Sequence, residues 1–252
     1  MTSPPNRSLE RGVEILRAFR AGSALLGNGE LADRTGLAPA TVSRLTQTLV
    51  RTGLLEHVPA ARAYRLAAPV LGMAHAMRTG SELLNTAAPL MRAVAEKLKV
   101  NVGLAKADRA EMVYLELIRY ARRASLRNVV SGQRVPMELT SLGRAWLAVA
   151  PPAVREALLA GFAGRRGDWP RIALEIEQAI GQVERLGWCA ASWQPEIVAL
   201  AMPLALRGDR EHVLNISVSS SLAVEVVAGR LAPALLALGG SIEGALLDSR
   251  RC

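Results

Sequence analysis

The first 68 residues carry apolar side chains at helical spacing, interrupted by glycines. Apolar residues recur every three or four positions in a first predicted helix over residues 8–21, at Leu9, Val13, Leu16 and Phe19. The same spacing predicts helices over 30–36 and 40–52, and glycines end both. Short runs at 54–58 and 63–66 predict two strands around a turn. The pattern therefore indicates three helices followed by a β-hairpin.

Residues 70–98 are predicted to be helical in two pieces. Pro89 lacks the backbone N–H that a helix interior uses, so it is predicted to start the second piece. Apolar positions spaced 3-4-3-4 follow in this region, at Leu84, Ala87, Met91, Val94 and Leu98. That seam can pack on a domain or on a second copy of itself.

From residue 101 strands alternate with long helices, which predicts an α+β or α/β domain. Strands are predicted over 102–106 and 112–118, and a hairpin over 197–206 and 212–219 with its turn at 207–209. Helices are predicted over 140–150, 171–186 and 222–247, the last with a break near Gly239. No internal repeat is visible.

Composition and charge narrow the class of protein. The chain has 252 residues, 50% of them hydrophobic, and no apolar run reaches the roughly 18 residues of a membrane span. We therefore expect no membrane and a cytoplasmic location, where Cys189 and Cys252 stay reduced. Residues 1–80 hold ten arginines and five acidic residues, a net charge of +5 out of +9. A basic amino-terminal segment suits a polyanionic partner, although arginine-rich codon usage also explains it.

Residues 30–52 fit a helix-turn-helix. Ala32 is small where the two helices would cross, Gly36 tolerates a turn with positive φ, and Val42 is the buried aliphatic of the second helix. Four polar side chains then lie on the opposite face, where they can reach base edges and phosphates: Thr41, Ser43, Arg44 and Gln47. The alternative is an ordinary pair of surface helices.

The hairpin directly after the second helix favours a winged helix-turn-helix over that alternative. It carries Arg62, Tyr64 and Arg65, which would lie along the sugar-phosphate backbone or in the minor groove. Arg7, just ahead of the first helix, completes the predicted DNA-binding set. The winged helix is predicted to bind a double-stranded DNA operator.

These segments resemble the IclR family of bacterial regulators, in the same order along the chain. The opening Ser8–Leu16 and the helix-turn-helix are similar to the family's amino-terminal domain. The segments 132–145, 187–188, 198–204 and 215–219 resemble the family's effector-pocket loop and central strands. The resemblance covers roughly residues 8–247, and an ordered set of this kind is more specific than one motif.

The resemblance implies a winged helix over 1–68, a linker helix over 69–86 and a GAF-like effector-binding domain over 87–252. It also implies a homodimer or homotetramer on a palindromic operator, and a small organic acid or aromatic catabolite as effector. The chain departs from the family at two points. Ala199 stands where many members have a cysteine, and Glu138–Leu139 replaces a more usual His-Ala.

The predicted effector pocket is bounded by seven residues: Val135, Thr140, Ser141, Leu142, Ala199, Ser217 and Ser219. Ser217 and Ser219 alternate along one strand, so both can face one side of the sheet and hold a carboxylate. Their alternative role is to bond neighbouring backbone. Thr140 and Ser141 begin a helix, where they can bind an anion, cap the helix, or do both.

The sequence favours a transcriptional regulator whose operator binding responds to a small molecule. An alternative is a DNA-binding module whose carboxy-terminal domain makes only protein contacts. An enzyme is disfavoured, because no histidine accompanies Cys189 and no phosphate-binding glycine loop is present. No Cys/His spacing suits a metal, so neither metal nor cofactor is expected. The identity of the effector and the direction of regulation are not encoded in these patterns.

Overall fold

The computed structural model describes residues 5–120, 130–206 and 211–248. The chain divides into two compact units, residues 1–80 and residues 81–252. The predicted turn at 207–209 and Cys252 lie outside the described residues.

The amino-terminal unit contains four helices and one hairpin. Its elements are α1 (Arg7–Arg17), α2 (Asn28–Thr35), α3 (Pro39–Arg51), β1 (Leu55–Val58), β2 (Ala63–Leu66) and α4 (Ala68–Thr79). The core consists of aliphatic side chains from the first three helices and the hairpin, among them Ile15, Leu26, Leu31, Val42, Leu45, Leu49 and Leu55. This is the predicted three-helix unit with a β-hairpin.

Polar groups and glycines set the ends of these helices. Asn6 caps α1, since its side chain accepts the N–H groups of Ser8 and Leu9. Gly36 follows α2 with φ of 68°, a left-handed conformation that glycine adopts without strain, and this turn separates α2 from α3. The first helix ends at Arg17, so the prediction that it extends to residue 21 was wrong by one turn.

The hairpin after α3 is a short antiparallel pair. Leu55 pairs with Leu66 and Val58 with Ala63, and a 3-10 turn over Pro59–Ala61 joins the strands. A further bridge between Leu26 and Tyr64 ties the segment before α2 to the hairpin. The hairpin is thereby fixed beside α3.

The helical segment after the hairpin breaks at Gly80, not at Pro89. α4 ends at Thr79, and α5 spans Glu82–Leu98. Ser81 caps α5, because its hydroxyl accepts the Leu84 N–H. Pro89 lies inside α5. The predicted helix start at Pro89 was therefore wrong, and the proposed linker 69–86 contains α4 and the first turn of α5.

The carboxy-terminal unit is α+β. After α5 come β3 (Asn101–Asp108), β4 (Glu111–Ile118), β5 (Arg134–Pro136), α6 (Ser141–Val149), α7 (Pro152–Ala163), α8 (Trp169–Leu186), β6 (Cys189–Gln194), β7 (Ile197–Pro203), β8 (His212–Ser219) and α9 (Val224–Asp248). The six strands pair antiparallel in the order β5-β4-β3-β8-β7-β6.

Helices cover both faces of this sheet. On one face, α5 and α9 pack on apolar residues of the central strands, among them Val102, Leu104, Leu200, Leu214 and Ile216. The predicted 3-4-3-4 seam lies here, and Leu84, Ala87 and Met91 are buried in this core. On the other face, α6 and α8 pack on residues that include Ala105, Met112, Ala201 and Val213. We call the face of the sheet that α6 and α8 cover the α6 face.

α9 is one continuous helix rather than a helix broken near Gly239. A Cβ at Gly239 would lie 2.5 Å from the Met202 sulfur, so the helix packs closely on the Met202 side chain of β7 at this glycine. Among the described helices, α9 alone is long and apolar enough to cross a membrane by length and composition. Its buried side chains, however, pack in the core on the α5 side of the sheet.

Strand β6 forms one edge of the sheet. It pairs only with β7, through positions such as Ala190 with Leu200. On its outer side, the N–H of Ala190 donates to the Gln182 side chain of α8 at 3.2 Å. A side chain therefore already binds a backbone N–H that an additional strand would need for pairing.

Candidate nucleic-acid interface and ligand site

The outward face of α3 is polar and largely exposed. Arg44 and Gln47 are exposed, whereas Thr41 and Ser43 are partly buried. Thr48 and Arg51 continue the face of Arg44 at helical spacing and are also exposed. The buried side of the same helix is held in the core by Val42, Leu45 and Leu49. All four predicted side chains therefore lie on α3, and the exposed polar face of this helix continues one turn beyond them.

A groove of about 590 Å³ lies between α3 and the hairpin. Its lining residues are Arg44, Gln47, Thr48, Val50, Arg51, His57 and Tyr64. We call it the recognition groove. Sequence reasoning missed Thr48, Arg51 and His57, although the i+4 and i+7 spacing of Thr48 and Arg51 from Arg44 was a readable signal for the first two.

The hairpin presents its two arginines differently. Arg62 follows the 3-10 turn with φ of 49°, exposed at the tip. Arg65 lies opposite Glu56 and makes an exposed salt bridge with it at 2.7 Å. The His57 and Tyr64 rings contact each other in a tilted arrangement, with 5.2 Å between ring centroids, and form the hairpin wall of the groove. Arg7 is exposed at the start of α1 and does not line the groove.

The amino-terminal end of α3 is not capped by a side chain. Its cap residue Ala38 makes no side-chain cap hydrogen bond, and Pro39 occupies the first turn. The amino-terminal end of a helix carries a partial positive charge and attracts phosphate. Together with Arg44 and Arg51, this end gives α3 a cationic outer face suited to a polyanion.

Three of the predicted ligand residues lie on two neighbouring strands. Ala199 of β7 pairs with Ser217 of β8, and Ile197 pairs with Ser219. Ala199 is buried, Ser217 is partly buried and Ser219 is exposed. Because Ala201 of β7 lies on the α6 face, Ala199 and Ser217 share that face. Ala191 of β6 adds another small side chain to the row.

The other predicted ligand residues lie at the start of α6. Thr140 caps the helix, because its hydroxyl accepts the Gly143 N–H at 3.2 Å and donates to the Pro136 carbonyl at 2.9 Å. The Cys189 thiol lies 3.5 Å from the Ser141 carbonyl, which places this end of α6 against β6. Leu142 and Val135 are buried in the core on the α6 face. The capping role of Thr140 is therefore present.

Two buried polar residues of this face were missed by the sequence reading. Asn215 of β8 is 3% exposed, and its side-chain nitrogen lies 3.5 Å from the Tyr114 hydroxyl of β4. Its side-chain oxygen has no hydrogen-bond partner among the residues that the structure describes. Burial raises the pKa of Tyr114 to about 12, so the phenol stays neutral. An asparagine within an apolar strand was the available signal.

Charged side chains hold the turn before α6. Arg144 is buried, donates to the Glu138 carbonyl at 3.0 Å and pairs with Glu175 of α8 at 2.5 Å. Arg166 pairs with the Glu138 carboxylate and with Asp168. Burial acts to raise the pKa of Glu175, but the hydrogen bonds and charges of Arg144 and Arg171 together outweigh it and lower that pKa. We call Arg144, Glu175, Glu138 and Arg166 the turn clamp.

Neither a reactive thiol nor a metal cluster is visible in the parts described. Burial raises the pKa of Cys189 to about 12, so this thiol stays protonated and unreactive. Within residues 5–120, 130–206 and 211–248, no three metal-ligating side chains come together.

Comparison with known families accounts for nearly the whole chain. Residues 8–59 match the IclR helix-turn-helix domain, and residues 75–242 match the bacterial transcriptional regulator IclR C-terminal domain.

Individual relatives agree with this result. The chain is 38% identical over 183 residues to the HTH-type transcriptional regulator TsaQ1/TsaQ2 of Comamonas testosteroni, a match covering 72% of this chain and 66% of that protein. A crystal structure of an IclR family transcriptional regulator from Brucella abortus superposes with a TM-score of 0.86 at 32% identity, covering 96% and 92% of the two chains. An IclR homologue from Microbacterium hydrocarbonoxydans, crystallised with 4-hydroxybenzoate, has the same fold at 22% identity, with a TM-score of 0.72 and coverage of 96% and 99%.

Proposed function

Because this chain belongs to the IclR family of bacterial transcriptional regulators, we propose that its operator binding is modulated by a small-molecule effector held in the carboxy-terminal unit. The family and its relatives are DNA-binding transcriptional regulators, not enzymes. The proposed place of action is the cytoplasm, where the operator is.

The recognition groove is the observation that carries the DNA-binding assignment. Arg44 and Gln47 occupy the middle of the exposed face of α3, the helix that a helix-turn-helix places in the major groove. Arginine pairs with guanine and glutamine with adenine through two hydrogen bonds each. Thr41, Ser43, Thr48 and Arg51 flank them and supply contacts to neighbouring bases and phosphates.

The hairpin supplies the wing contacts in this proposal. Arg62 stands at its tip, free to follow the sugar-phosphate backbone, while Arg65 must exchange its partner Glu56 for a phosphate. Arg62 is therefore the stronger phosphate contact of the two. Arg7 contributes only to the general positive charge.

The row of small side chains on the α6 face supports an effector site. Ala191, Ala199 and Ser217 lie side by side on three strands, with the start of α6 packed against β6. The Ser217 and Ser219 hydroxyls would donate to an effector carboxylate, and Val135, Thr140, Ser141 and Leu142 would frame the adjoining wall. The homologue crystallised with 4-hydroxybenzoate makes that acid the first trial effector.

A homodimer is the proposed assembly on DNA, since one winged helix contacts only one half-site. α4 supplies the surface. None of its described residues is buried in the chain, and Leu71, Met73 and Met77 are more than half exposed. The seam of α5 is instead used inside the carboxy-terminal unit.

The test of the DNA assignment compares two arginine variants on a duplex selected from a random pool by the wild-type protein. We expect Arg44→Ala to weaken binding to that duplex by about 1–3 kcal/mol, because a base contact is lost. Binding to unrelated DNA should change less. Fluorescence anisotropy at several salt concentrations measures both.

Arg230→Ala is the matched control, because Arg230 is an exposed arginine on α9 in the other unit. Its affinity should equal that of the wild type. Equal losses in Arg44→Ala on selected and unrelated DNA would mean that Arg44 contacts phosphate only. No loss on either would remove Arg44 from the interface.

A further inference from the structure

Tyr114 and Asn215 meet on the α6 face over a glycine. A Cβ placed at Gly103 of β3 would lie 2.4 Å from the Asn215 side-chain oxygen and 2.5 Å from a ring carbon of Tyr114. Gly103 pairs with Asn215 in the sheet. The missing side chain of Gly103 therefore makes the room in which the two polar groups lie together. We call them the inner polar pair.

The hydrogen-bonding capacity of the inner polar pair is only partly used. Asn215 donates to the Tyr114 oxygen at 3.5 Å, while its own carbonyl oxygen has no partner. Among the described residues, the Tyr114 hydroxyl bonds no other group. A buried polar atom without a partner is rare and costly, and it calls for a missing partner such as a ligand group.

We propose that Tyr114 and Asn215 form the inner end of the effector site and bind a hydroxyl group of the effector. The inference rests on the proposed effector-binding function. The pair offers two kinds of unused group: an acceptor, the Asn215 oxygen, and donors, the Tyr114 O–H and the second amide N–H of Asn215. A hydroxyl matches both, because it donates and accepts. A carboxylate only accepts and an ammonium only donates, so each would leave one buried atom unpaired.

The spacing of Asn215 and Ser217 along β8 indicates where the rest of the effector would lie. Ser217 follows Asn215 by two residues on the same face, which separates them by roughly 6.6 Å along a strand. Between and beside them lie the small residues Gly103, Ala199 and Ala201. We therefore expect the effector to be a flat acid whose carboxylate lies at Ser217 and whose hydroxyl, at the opposite end of the molecule, lies at Asn215. A para-hydroxylated aromatic acid has that shape.

The test uses the full chain and two matched probes, 4-hydroxybenzoate and benzoate, titrated by calorimetry. We expect the wild-type protein to prefer the hydroxylated acid by about tenfold, the usual range for one well-placed hydrogen bond. Tyr114→Phe removes the donor and keeps the ring. That variant should lose the preference and leave benzoate affinity within about twofold of wild type.

Ser217→Leu separates this inference from the function on which it rests. If both acids bind the wild type and not Ser217→Leu, but Tyr114→Phe keeps the tenfold preference, the effector site stands and the hydroxyl subsite is overturned. If neither acid binds the wild type, the aromatic-acid effector and the subsite fall together.

A stability measurement tests whether the inner polar pair has only a structural role. The double variant Tyr114→Phe, Asn215→Leu keeps the branching of both side chains and removes both polar groups, so neither is left buried without a partner. We expect its denaturation midpoint, without ligand, to equal or exceed that of wild type, while the hydroxyl preference is lost. A strongly lowered midpoint would instead show that the inner polar pair serves the fold and would count against the subsite.

Discussion

Arg144 is a charged side chain inside the carboxy-terminal unit, and its position depends on the partners around it. It is 6% exposed, bonded to the Glu138 carbonyl and paired with Glu175. A buried cation that loses its partner is strongly destabilising, because its charge is no longer compensated. Gly143 beside it packs so closely on the Met137 backbone that a Cβ would overlap it. The turn before α6 is thus fixed by charge on one side and by contact on the other.

Glu175→Gln tests the charge part of this arrangement. Glutamine keeps an acceptor for Arg144 but removes the negative charge, so at pH 7 we expect a loss of about 1–2 kcal/mol in the free energy of unfolding. The lowered pKa of Glu175 means that its contribution is full above the ordinary glutamate pKa of about 4.3 and is lost as pH falls through the lower folded value.

Urea unfolding of wild type and Glu175→Gln between pH 7 and pH 3 measures both effects. The difference between the two proteins should shrink at the acid end. Glu177→Gln, an exposed neighbour on α8, serves as the control and should match wild type throughout. A gap that stays constant with pH would contradict the charge argument.

Individual residues were predictable where a local pattern placed them. Arg44 and Gln47 follow from helical spacing after Gly36, and the structure exposes both. Tyr114 and Asn215 stand 101 residues apart, and only the pairing of β4, β3 and β8 brings them together. Local spacing contains no information on that pairing, so the inner polar pair was out of reach.

α4 shows how an element can lack a partner within its own chain. Twelve residues form a helix with no buried position, and short isolated helices are marginal in water. Exposed Leu71, Met73 and Met77 on such a helix favour association with a second copy.

Charge placed on α4 should therefore separate the subunits. We expect wild type to be a dimer at micromolar concentration and the double variant Leu71→Lys, Met77→Lys to be a monomer, because two lysines would be buried at the interface. Multi-angle light scattering measures the mass. Leu174→Lys, on an equally apolar exposed site of α8, is the control and should remain dimeric. A dimeric double variant would place the interface elsewhere.

Elements with strong apolar periodicity were predicted correctly, and those without it were missed. α7 buries only Phe162, so it has no stripe to read. β6 begins with Cys-Ala-Ala-Ser, residues that pack poorly as strand formers, and it exists because β7 lies beside it. The α5 seam was read correctly as apolar, but its spacing did not say whether a domain or a second copy would cover it.

At the scale of the whole molecule, DNA contact and the proposed effector site belong to separate compact units. The recognition groove lies in residues 1–80 and the serine pair in residues 81–252. An effector changes DNA affinity only if it binds two states of the protein unequally. The chain between the units passes through α4 and Gly80, so we expect an effector signal to act on this segment or on the proposed dimer surface.

Ser217→Leu should uncouple the two activities. A leucine would fill the row beside Ala199 and remove a donor, so the response of operator affinity to the effector should disappear. Affinity without effector should stay within about twofold of wild type, because the winged helix has its own core. Anisotropy with and without 4-hydroxybenzoate measures both.

Ser241→Leu, an exposed serine on α9, is the control and should respond like wild type. A Ser217→Leu protein that retains the full response would show that the pocket lies elsewhere. Loss of DNA affinity without effector would show that the two units depend on each other for folding.

The side chain of Gln182 has a consequence for the behaviour of the protein in concentrated solution. An open strand edge is a template on which further chains can stack into fibrils, and β6 carries no charged side chain that would oppose such stacking. By accepting the outward N–H of Ala190, Gln182 removes a bond that a second β6 would need for edge-to-edge growth. In a regulator that we propose to dimerise through α4, this contact protects the sheet edge against polymerisation through a different surface.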